Sequence, residues 1–228
     1  MHYFDPEIHR YGSKIYSQNP EDGIIEYIFK TLKISEGYFV EFGVGPPGGQ
    51  TFEVAGLEAN CRLLRERGWN GLFMDGRSYP AGSGVQKEFI TALNINALLK
   101  RYAAPAEIDL FSTDVDGQEF WIWMNLAWQP KVVVIEYNPN FGIEISKTVP
   151  FKADFRWDAS SSYYGSSLTA LHKLGRSKGY TLIYANGVNA FFIRDCLVEN
   201  AADFPFDKLH VSFEQYAPDP HPRAWVEI

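Results

Sequence analysis

Hydrophobic positions along the chain follow two alternating periodicities. Short apolar runs of strand length are separated by segments whose apolar residues recur every three or four positions, as on one face of a helix. Strands that alternate with helices form βαβ units, whose strands are parallel. The pattern predicts a Rossmann-like, doubly wound α/β fold with about seven strands in a mostly parallel sheet.

The predicted elements follow one another without a linker or an internal repeat. The first helix spans 19–33, with Asn19 as its cap and Pro20 in its first position. A second helix is predicted from an apolar face made of Val54, Leu57, Cys61 and Leu64. Further helices are predicted at 94–102, 120–128 and around 168–174. The predicted strands are 38–43, 71–75, 85–90, 108–114, 131–137, 180–184 and 190–194.

The last third of the chain changes character. Asn186-Gly187 favours a tight reversal, so the final two strands are expected to form an antiparallel hairpin. Residues 204–228 contain four prolines and are predicted to be an irregular arm, packed on the domain or on the partner subunit of a homodimer. We expect one domain over 1–228.

Composition and charge exclude several classes of protein. The 228 residues are 46% hydrophobic, and the net charge of −7 argues against a broad nucleic-acid or anionic-membrane surface. The N-terminus shows no signal peptide, and no apolar run approaches the roughly 20 residues of a membrane span. We expect a soluble, cytoplasmic protein in which Cys61 and Cys196 are buried free thiols.

A glycine-rich loop follows the first predicted strand. Gly43-Val44-Gly45-Pro46-Pro47-Gly48 matches G-x-G-x-x-G, which is typical of dinucleotide sites. Pro46 and Pro47, however, remove two backbone N–H groups that a pyrophosphate needs, and Glu41 places a carboxylate where a phosphate would lie. The cationic cofactor S-adenosylmethionine suits such a loop better. Asp75 ends the second strand, where a carboxylate accepts the ribose hydroxyls.

A second group of acids follows the later strands. Asp114, Asp116, Glu136 and Asn138 are predicted to converge, because ligands bind at the carboxyl ends of parallel strands. In one hypothesis Asp114, Asp116 and Glu136 share a Mg²⁺ ion. In a second, Asp116 or Glu136 is a metal-free general base toward a hydroxyl. A third interpretation makes Asp116-Gly117 a turn that caps the next helix.

An aromatic loop is the candidate for covering the acceptor. Residues 157–165 combine tryptophan and tyrosines with serines, which suits a sugar or an aromatic substrate. Tyr163, Tyr164 and Asn138 are the predicted substrate-binding residues. The alternative is a loop that packs its own aromatic side chains.

Four segments in order carry a resemblance to a known family. They are Tyr16-Ser17-Gln18-Asn19-Pro20-Glu21-Asp22-Gly23-Ile24-Ile25, Phe39-Val40-Glu41-Phe42-Gly43, Gly68-Trp69-Asn70-Gly71-Leu72 and Ile108-Asp109-Leu110-Phe111-Ser112-Thr113-Asp114-Val115-Asp116-Gly117. Over 16–194 the chain resembles the FkbM-type class I methyltransferases. The resemblance implies that Glu41, Gly43, Gly45 and Asp75 hold S-adenosylmethionine and that Gln18 closes over it. Asn60 and Asp114 complete the predicted cofactor-binding set.

The sequence also departs from the family. Gly49-Gln50-Thr51 stands where the family often has Ser-Asn-Thr, and Asp75-Gly76 stands for Glu-Pro. The resemblance implies an O-methyltransferase acting on a hydroxyl of a sugar, a glycoconjugate or a small natural product. Two alternatives stay open: an NAD-dependent oxidoreductase that uses the glycine loop, and a non-catalytic cofactor-binding protein.

Overall fold

A computed structural model describes residues 1–46 and 56–228. Its strands are β1 Tyr38–Phe42, β2 Asn70–Asp75, β3 Val85–Lys87, β4 Leu110–Thr113, β5 Val132–Glu136, β6 Lys147–Thr148, β7 Tyr180–Ala185, β8 Asn189–Arg194 and β9 Val226–Glu227. The helices are α1 Glu21–Leu32, α2 Arg62–Glu66, α3 Ile95–Arg101, α4 Glu119–Asn125, α5 Leu168–Ser177 and α6 Phe206–Leu209. Short 3-10 turns occupy Ile8–Tyr11, Asp195–Leu197 and Ala201–Asp203.

Seven strands form the central sheet in the order β3-β2-β1-β4-β5-β8-β7. All neighbours are parallel except β8, which runs antiparallel to both β5 and β7. The predicted Rossmann-like α/β fold with a mostly parallel sheet and an antiparallel C-terminal hairpin is confirmed. The order reverses direction between β1 and β4, and ligands bind at such a switch point in open sheets.

Both faces of the sheet are buried, which explains the continuous apolar runs of the central strands. In β5, Val133 and Ile135 pack into the cluster that includes Trp123 and Leu171. Their neighbours Val132 and Val134 point to the other face, against the cluster that includes the apolar side of α1. Helices α4 and α5 therefore cover one face of the sheet, and α1 covers the other.

The predicted second helix is wrong over most of its length. Helix α2 begins only at Arg62, and Leu57 and Cys61 lie in the irregular segment before it. Two interactions hold this segment out of a helix: Glu58 forms a β-bridge with Gly45, and Glu41 accepts the backbone N–H of Cys61. Val54 of the predicted face lies outside the described residues, as do Pro47 and Gly48 of the glycine loop.

The C-terminal arm is more ordered than predicted. It contains α6, and its last residues form β9, which pairs antiparallel with β6 in a separate two-stranded sheet. Each strand of this pair has only two residues, which are too few to show the alternation of apolar and polar positions that indicates a strand. The arm thereby fastens the long loop between β5 and α5.

Two single-residue details also differ from the prediction. Helix α1 starts at Glu21, with no side chain capping it; instead Glu21 accepts the N–H of Asn19 at 2.7 Å. Cys61 is a buried free thiol as expected, but Cys196 is exposed. Among the described residues, no helix combines the length and apolar character needed to cross a bilayer.

Gly175→Ala tests how tightly α5 packs on the sheet. A Cβ at Gly175 would lie 2.7 Å from Phe192 and 3.1 Å from Trp123. Alanine favours a helix by about 1 kcal/mol over glycine, but overpacking a core costs about 1–3 kcal/mol. We expect a net loss of about 1 kcal/mol or more in the free energy of unfolding, measured by urea denaturation.

The matched control is Gly142→Ala, where a Cβ would have no neighbour within 4 Å. It should change the free energy of unfolding by less than about 0.5 kcal/mol. A Gly175→Ala protein as stable as the wild type would show that this face of the sheet is loosely packed.

Candidate functional site

A cavity of about 620 Å³ opens at the carboxyl ends of β1, β2 and β4, beside the switch point in strand order. Its volume is typical of a cofactor or small-molecule site. Of the predicted cofactor-binding residues, the following line it: Gln18, Glu41, Gly43, Gly45, Asn60, Asp75 and Asp114. The fold therefore brings the whole predicted set to one cavity, while the role of each residue stays a prediction.

Glu41 joins β1 to the segment before α2. Its two carboxylate oxygens accept the backbone N–H groups of Asn60 and Cys61, each at 2.7 Å. Asn60 in turn donates to the hydroxyl of Ser112 at 3.1 Å, which ties this segment to β4. Burial raises the pKa of Glu41 to about 7, against the two backbone hydrogen bonds that lower it. Glu41 fixes the floor of the cavity at a cost in desolvation.

Asp75 is engaged by Arg77 at the end of β2. Its Oδ1 accepts the backbone N–H of Arg77 at 2.6 Å and the side-chain Nε at 3.2 Å. The same guanidinium donates to the carbonyl of Val44 at 2.6 Å, and the hydroxyl of Tyr79 also donates to that carbonyl. The glycine loop is thus tied to the end of β2 by two side chains, neither of which the sequence analysis predicted to be in the site.

Gly43 lies directly against the backbone of Asp114, one residue beyond the ends of β1 and β4. Its φ is +72°, and a Cβ there would lie 1.3 Å from the carbonyl oxygen of Asp114. Glycine is required at this position for both reasons, because a side chain would be strained and would also clash. The contact brings Asp114 to the wall of the cavity.

Asp22 organises the segment that carries Gln18. Its Oδ2 accepts the backbone N–H groups of Ile15, Tyr16 and Ser17 at 2.7–2.8 Å, together with the hydroxyl of Ser17. This arrangement explains why an aspartate follows the serine at that spacing: one buried carboxylate satisfies three backbone donors of the loop. Gln18, next in the chain, is consequently held at the edge of the cavity.

Asp114 and Glu136 lie together, but their third neighbour is Glu119, which the sequence analysis missed. One oxygen of each of the three carboxylates lies within 4.8 Å of the others. Burial and the neighbouring acids raise the pKa of Asp114 and of Glu136 well above their usual range. Burial also raises the pKa of Glu119 to about 7. The predicted helix began one residue later, at Phe120, and the candidate acids were sought only at the strand ends.

Asp116 is separate from these three acids. It is exposed at the cavity, with a left-handed φ of +58°, and interacts electrostatically with Arg77. Glu136 is not among the residues that line the cavity. Of the two predicted catalytic residues, therefore, Asp116 has access to a molecule in the cavity, and Glu136 lies behind Asp114.

The three predicted substrate-binding residues lie outside the cavity lining. Asn138 donates to the carbonyls of Ser162 and Tyr164, and its Oδ1 accepts from Asn140. The hydroxyl of Tyr163 donates to Ala224, and that of Tyr164 to Gln215. The two tyrosines fasten the aromatic loop to the C-terminal arm, and Asn138 fastens it to the end of β5; their role in substrate binding stays a prediction.

Loops contribute aromatic and basic side chains to the cavity wall. Of the four described next, Trp157 belongs to the predicted aromatic loop, and the other three were not predicted to be in the site. Phe155, Arg156 and Trp157 come from the loop between β6 and α5, and Phe89 follows β3. The Phe155 ring packs where a Cβ of Gly117 would be, and the Arg156 guanidinium lies 4.7 Å from the Phe89 ring centre. No periodicity marks such loops, so their contact with the cavity depends on tertiary packing.

Comparison with known proteins adds no assignment. No model of a known protein family matches the chain, and no curated protein matches it at a significant level. The fold and the geometry of the cavity are therefore the basis for any functional conclusion.

The raised pKa of Glu41 predicts a pH-dependent stability. A carboxyl whose pKa is about 7 when folded and 4.5 when unfolded contributes stability that is fully present below pH 4.5 and lost as the pH rises through about 7. The loss for Glu41 is on the order of 3 kcal/mol. We expect urea unfolding to show the stability of the wild type falling relative to Glu41→Gln across this window.

The difference between wild type and Glu41→Gln is the relevant quantity, because other groups also titrate and their effects cancel in it. Glu144→Gln changes an exposed glutamate and should keep the wild-type pH profile. The raised pKa of Glu41 would be contradicted if the stability of the wild type relative to Glu41→Gln stayed constant with pH, or if it increased as the pH rises.

Proposed function

We propose that the protein is an S-adenosylmethionine-dependent O-methyltransferase acting on a hydroxyl of a sugar, a glycoconjugate or a small natural product. The observation that carries the proposal is the cavity at the switch point, whose walls combine the strand-end acids Glu41, Asp75 and Asp114 with the loop at Gly43 and Gly45. The resemblance of the four sequence segments to FkbM-type methyltransferases agrees with this location.

The charge of the cavity favours a cationic cofactor. Within the described residues, five acids line it, against two arginines: Glu41, Glu58, Asp75, Asp114 and Asp116, with Arg77 and Arg156. A sulfonium and an ammonium group favour the charged forms of these acids, including Glu41 and Asp114 with their raised pKa values, whereas a pyrophosphate disfavours them. Pro46, also in the wall, has no N–H to offer a phosphate. The residues present therefore fit S-adenosylmethionine.

The polar and apolar parts of the cofactor have separate candidates. Asp75 is the candidate for the ribose hydroxyls, because its carboxylate ends β2 at the cavity and the hydrogen bond from Arg77 to its Oδ2 is long, at 3.3 Å. Ile90, Phe89 and Val115 offer the apolar surface that an adenine ring requires. The cofactor supplies an electrophilic methyl group when bound. Gln18 and the Gly43 loop hold the two sides of the cavity around it.

The remaining wall suits a hydroxylated acceptor. Phe155 and Trp157 provide flat apolar faces, which stack on sugar rings, and Arg156 adds hydrogen-bond donors. Asp116 is the general base of the proposed reaction, since it faces the cavity and accepts a proton at its carboxylate. Desolvation by the surrounding protein raises the pKa of Asp116, and the positive charge of Arg77 lowers it. Removal of the acceptor proton by Asp116 prepares the oxygen as a nucleophile.

A second candidate, an NAD(P)-dependent oxidoreductase, is favoured by one observation. Arg77 stands at the end of β2, where an arginine accommodates the 2′-phosphate of NADP. One feature argues against the oxidoreductase. The strand beside β5 is the antiparallel β8, whereas the dinucleotide-binding fold has a parallel strand at that place. The two candidates make opposite predictions for Arg77.

Asp75→Ala should weaken binding of S-adenosylhomocysteine by about 10- to 100-fold, because hydrogen bonds to a charged group contribute about 1.5–3 kcal/mol. Isothermal titration calorimetry measures the affinity. Asp207→Ala, an exposed aspartate in α6, is the matched control and should bind as the wild type does. Unchanged affinity in Asp75→Ala would contradict the proposed ribose contact.

Arg77→Ala separates the two candidate functions. It should bind S-adenosylhomocysteine at least as tightly as the wild type, because it removes the guanidinium from both oxygens of Asp75 and leaves Oδ1 only its backbone hydrogen bond to residue 77. Thermal unfolding is recorded in parallel with NADP and with S-adenosylhomocysteine. The oxidoreductase is favoured if NADP raises the Tm of the wild type but not of Arg77→Ala, and if S-adenosylhomocysteine raises neither.

A further inference from the structure

We propose that Asp114, Glu119 and Glu136 form a binding site for a hard divalent cation of the Mg²⁺ and Ca²⁺ class. The site lies where β4 and β5 end and α4 begins. It differs from the predicted magnesium site in that Glu119 takes the place of Asp116. The proposal does not depend on the methyltransferase function, although Asp114 belongs to the cavity wall as well, with Glu119 and Glu136 behind it.

The spacing of the oxygens suits a single ion. One oxygen from each carboxylate lies within 4.8 Å of the other two. Calcium binds oxygens at about 2.3–2.6 Å, so ligands on opposite sides of the ion lie roughly 5 Å apart. Magnesium binds at about 2.0–2.1 Å and keeps its ligands within about 4.2 Å. If the oxygens lie close to 4.8 Å apart, the spacing matches calcium; if they lie within about 4.2 Å, it also matches magnesium.

Glu119 is oriented as a ligand would be. It is fully buried, and its Oε1 accepts the N–H groups of Val115 and Gly117, each at 2.8 Å. Its Oε2 has no hydrogen-bond partner. Two donors thus fix the carboxylate while the other oxygen stays available to the cluster. The cost of leaving a buried charged oxygen unpaired is a few kcal/mol, which a bound cation offsets.

Glu136 has the same feature, since its Oε2 is also buried without a partner. Over 1–46 and 56–228, no lysine, arginine or histidine forms an ion pair with Asp114, Glu119 or Glu136. Three clustered carboxylates without a base require either protons or a cation to remain buried. A doubly charged ion satisfies all three with one species.

Space and access are both present. A Cβ added at Gly165 would lie 3.8 Å from Oε2 of Glu119, so the absent side chain leaves room beside that oxygen. Asp114 also lines the cavity, and it connects the cluster to solvent. An ion bound here therefore has a route of entry and lies next to the place proposed for the acceptor.

Calorimetric titration of chelator-treated, dialysed full-length protein tests the site. MgCl₂, CaCl₂ and MnCl₂ are titrated separately above neutral pH, and thermal unfolding is recorded with each. We expect one ion per chain and a raised Tm with at least one of them. Tighter binding of Ca²⁺ than of Mg²⁺ would identify the larger ion as the better fit, and the reverse order would identify magnesium; both support the site.

Glu119→Gln is the decisive variant. Its amide oxygen keeps the hydrogen bonds from Val115 and Gly117, and an NH₂ group replaces the free oxygen and repels a cation. We expect cation affinity to fall by about 10- to 100-fold. Glu144→Gln, the same change at an exposed position, should not alter it. Asp116→Asn removes a neighbouring charge but no ligand, so it should lower the affinity by less than Glu119→Gln does.

Three results would overturn the proposal: no binding of any of the three ions to the wild type, equal affinity in Glu119→Gln, or loss of binding in Asp116→Asn but not in Glu119→Gln. If Glu119→Gln does not fold, Glu136→Gln takes its place with the same expectation. Binding of S-adenosylhomocysteine is measured in the presence of chelator, so that failure of the cation site and failure of the methyltransferase proposal are distinguished.

Discussion

The structure depends on one close approach between backbones, the contact of Gly43 with the carbonyl of Asp114. It joins the ends of β1 and β4, the two strands from which the chain proceeds in opposite directions across the sheet. Because a Cβ is excluded there, the two strand ends meet without a side chain between them. The junction brings Asp114 to the wall of the cavity, with Glu119 and Glu136 behind it.

The second feature of the site is its excess of buried acid. Glu41 is stabilised by two backbone donors, and Asp22 by three, so both act as anchors for loops. Asp114, Glu119 and Glu136 are different, because their mutual repulsion is not balanced by a basic side chain within the described residues. Structures retain such unfavourable groups mainly where a ligand offsets them. The repulsion between these three carboxylates therefore lowers stability at the end of β4, and the proposed cation would offset it.

The sequence was sufficient to predict the sheet and the residues at its carboxyl edge. Strand runs such as 131–137 are buried on both faces, and their ends place Glu41, Asp75 and Asp114 by topology alone. Helix α2 was mispredicted because Glu41 captures two backbone N–H groups that a helix would have used. The pairing of β6 with β9 involves residues almost eighty positions apart and only two residues a strand, so no local pattern indicates it.

Tertiary contacts also determine which hydrogen-bond partners single side chains have. Tyr163, Tyr164 and Asn138 have the chemistry of a substrate site, but their hydrogen bonds go to the loop and the C-terminal arm. Glu119 was missed because the predicted helix began at Phe120 and only acids at the strand ends were considered. Its unpartnered oxygen becomes apparent only when β5 places Glu136 beside it.

The most direct test of the account is calorimetric titration of the purified wild-type protein with S-adenosylhomocysteine. We predict one-to-one binding with micromolar affinity, because the acid-lined cavity at the switch point suits the adenosine and the ammonium group. Absence of binding, together with binding of NADP, would contradict this prediction and would assign the cavity to a dinucleotide.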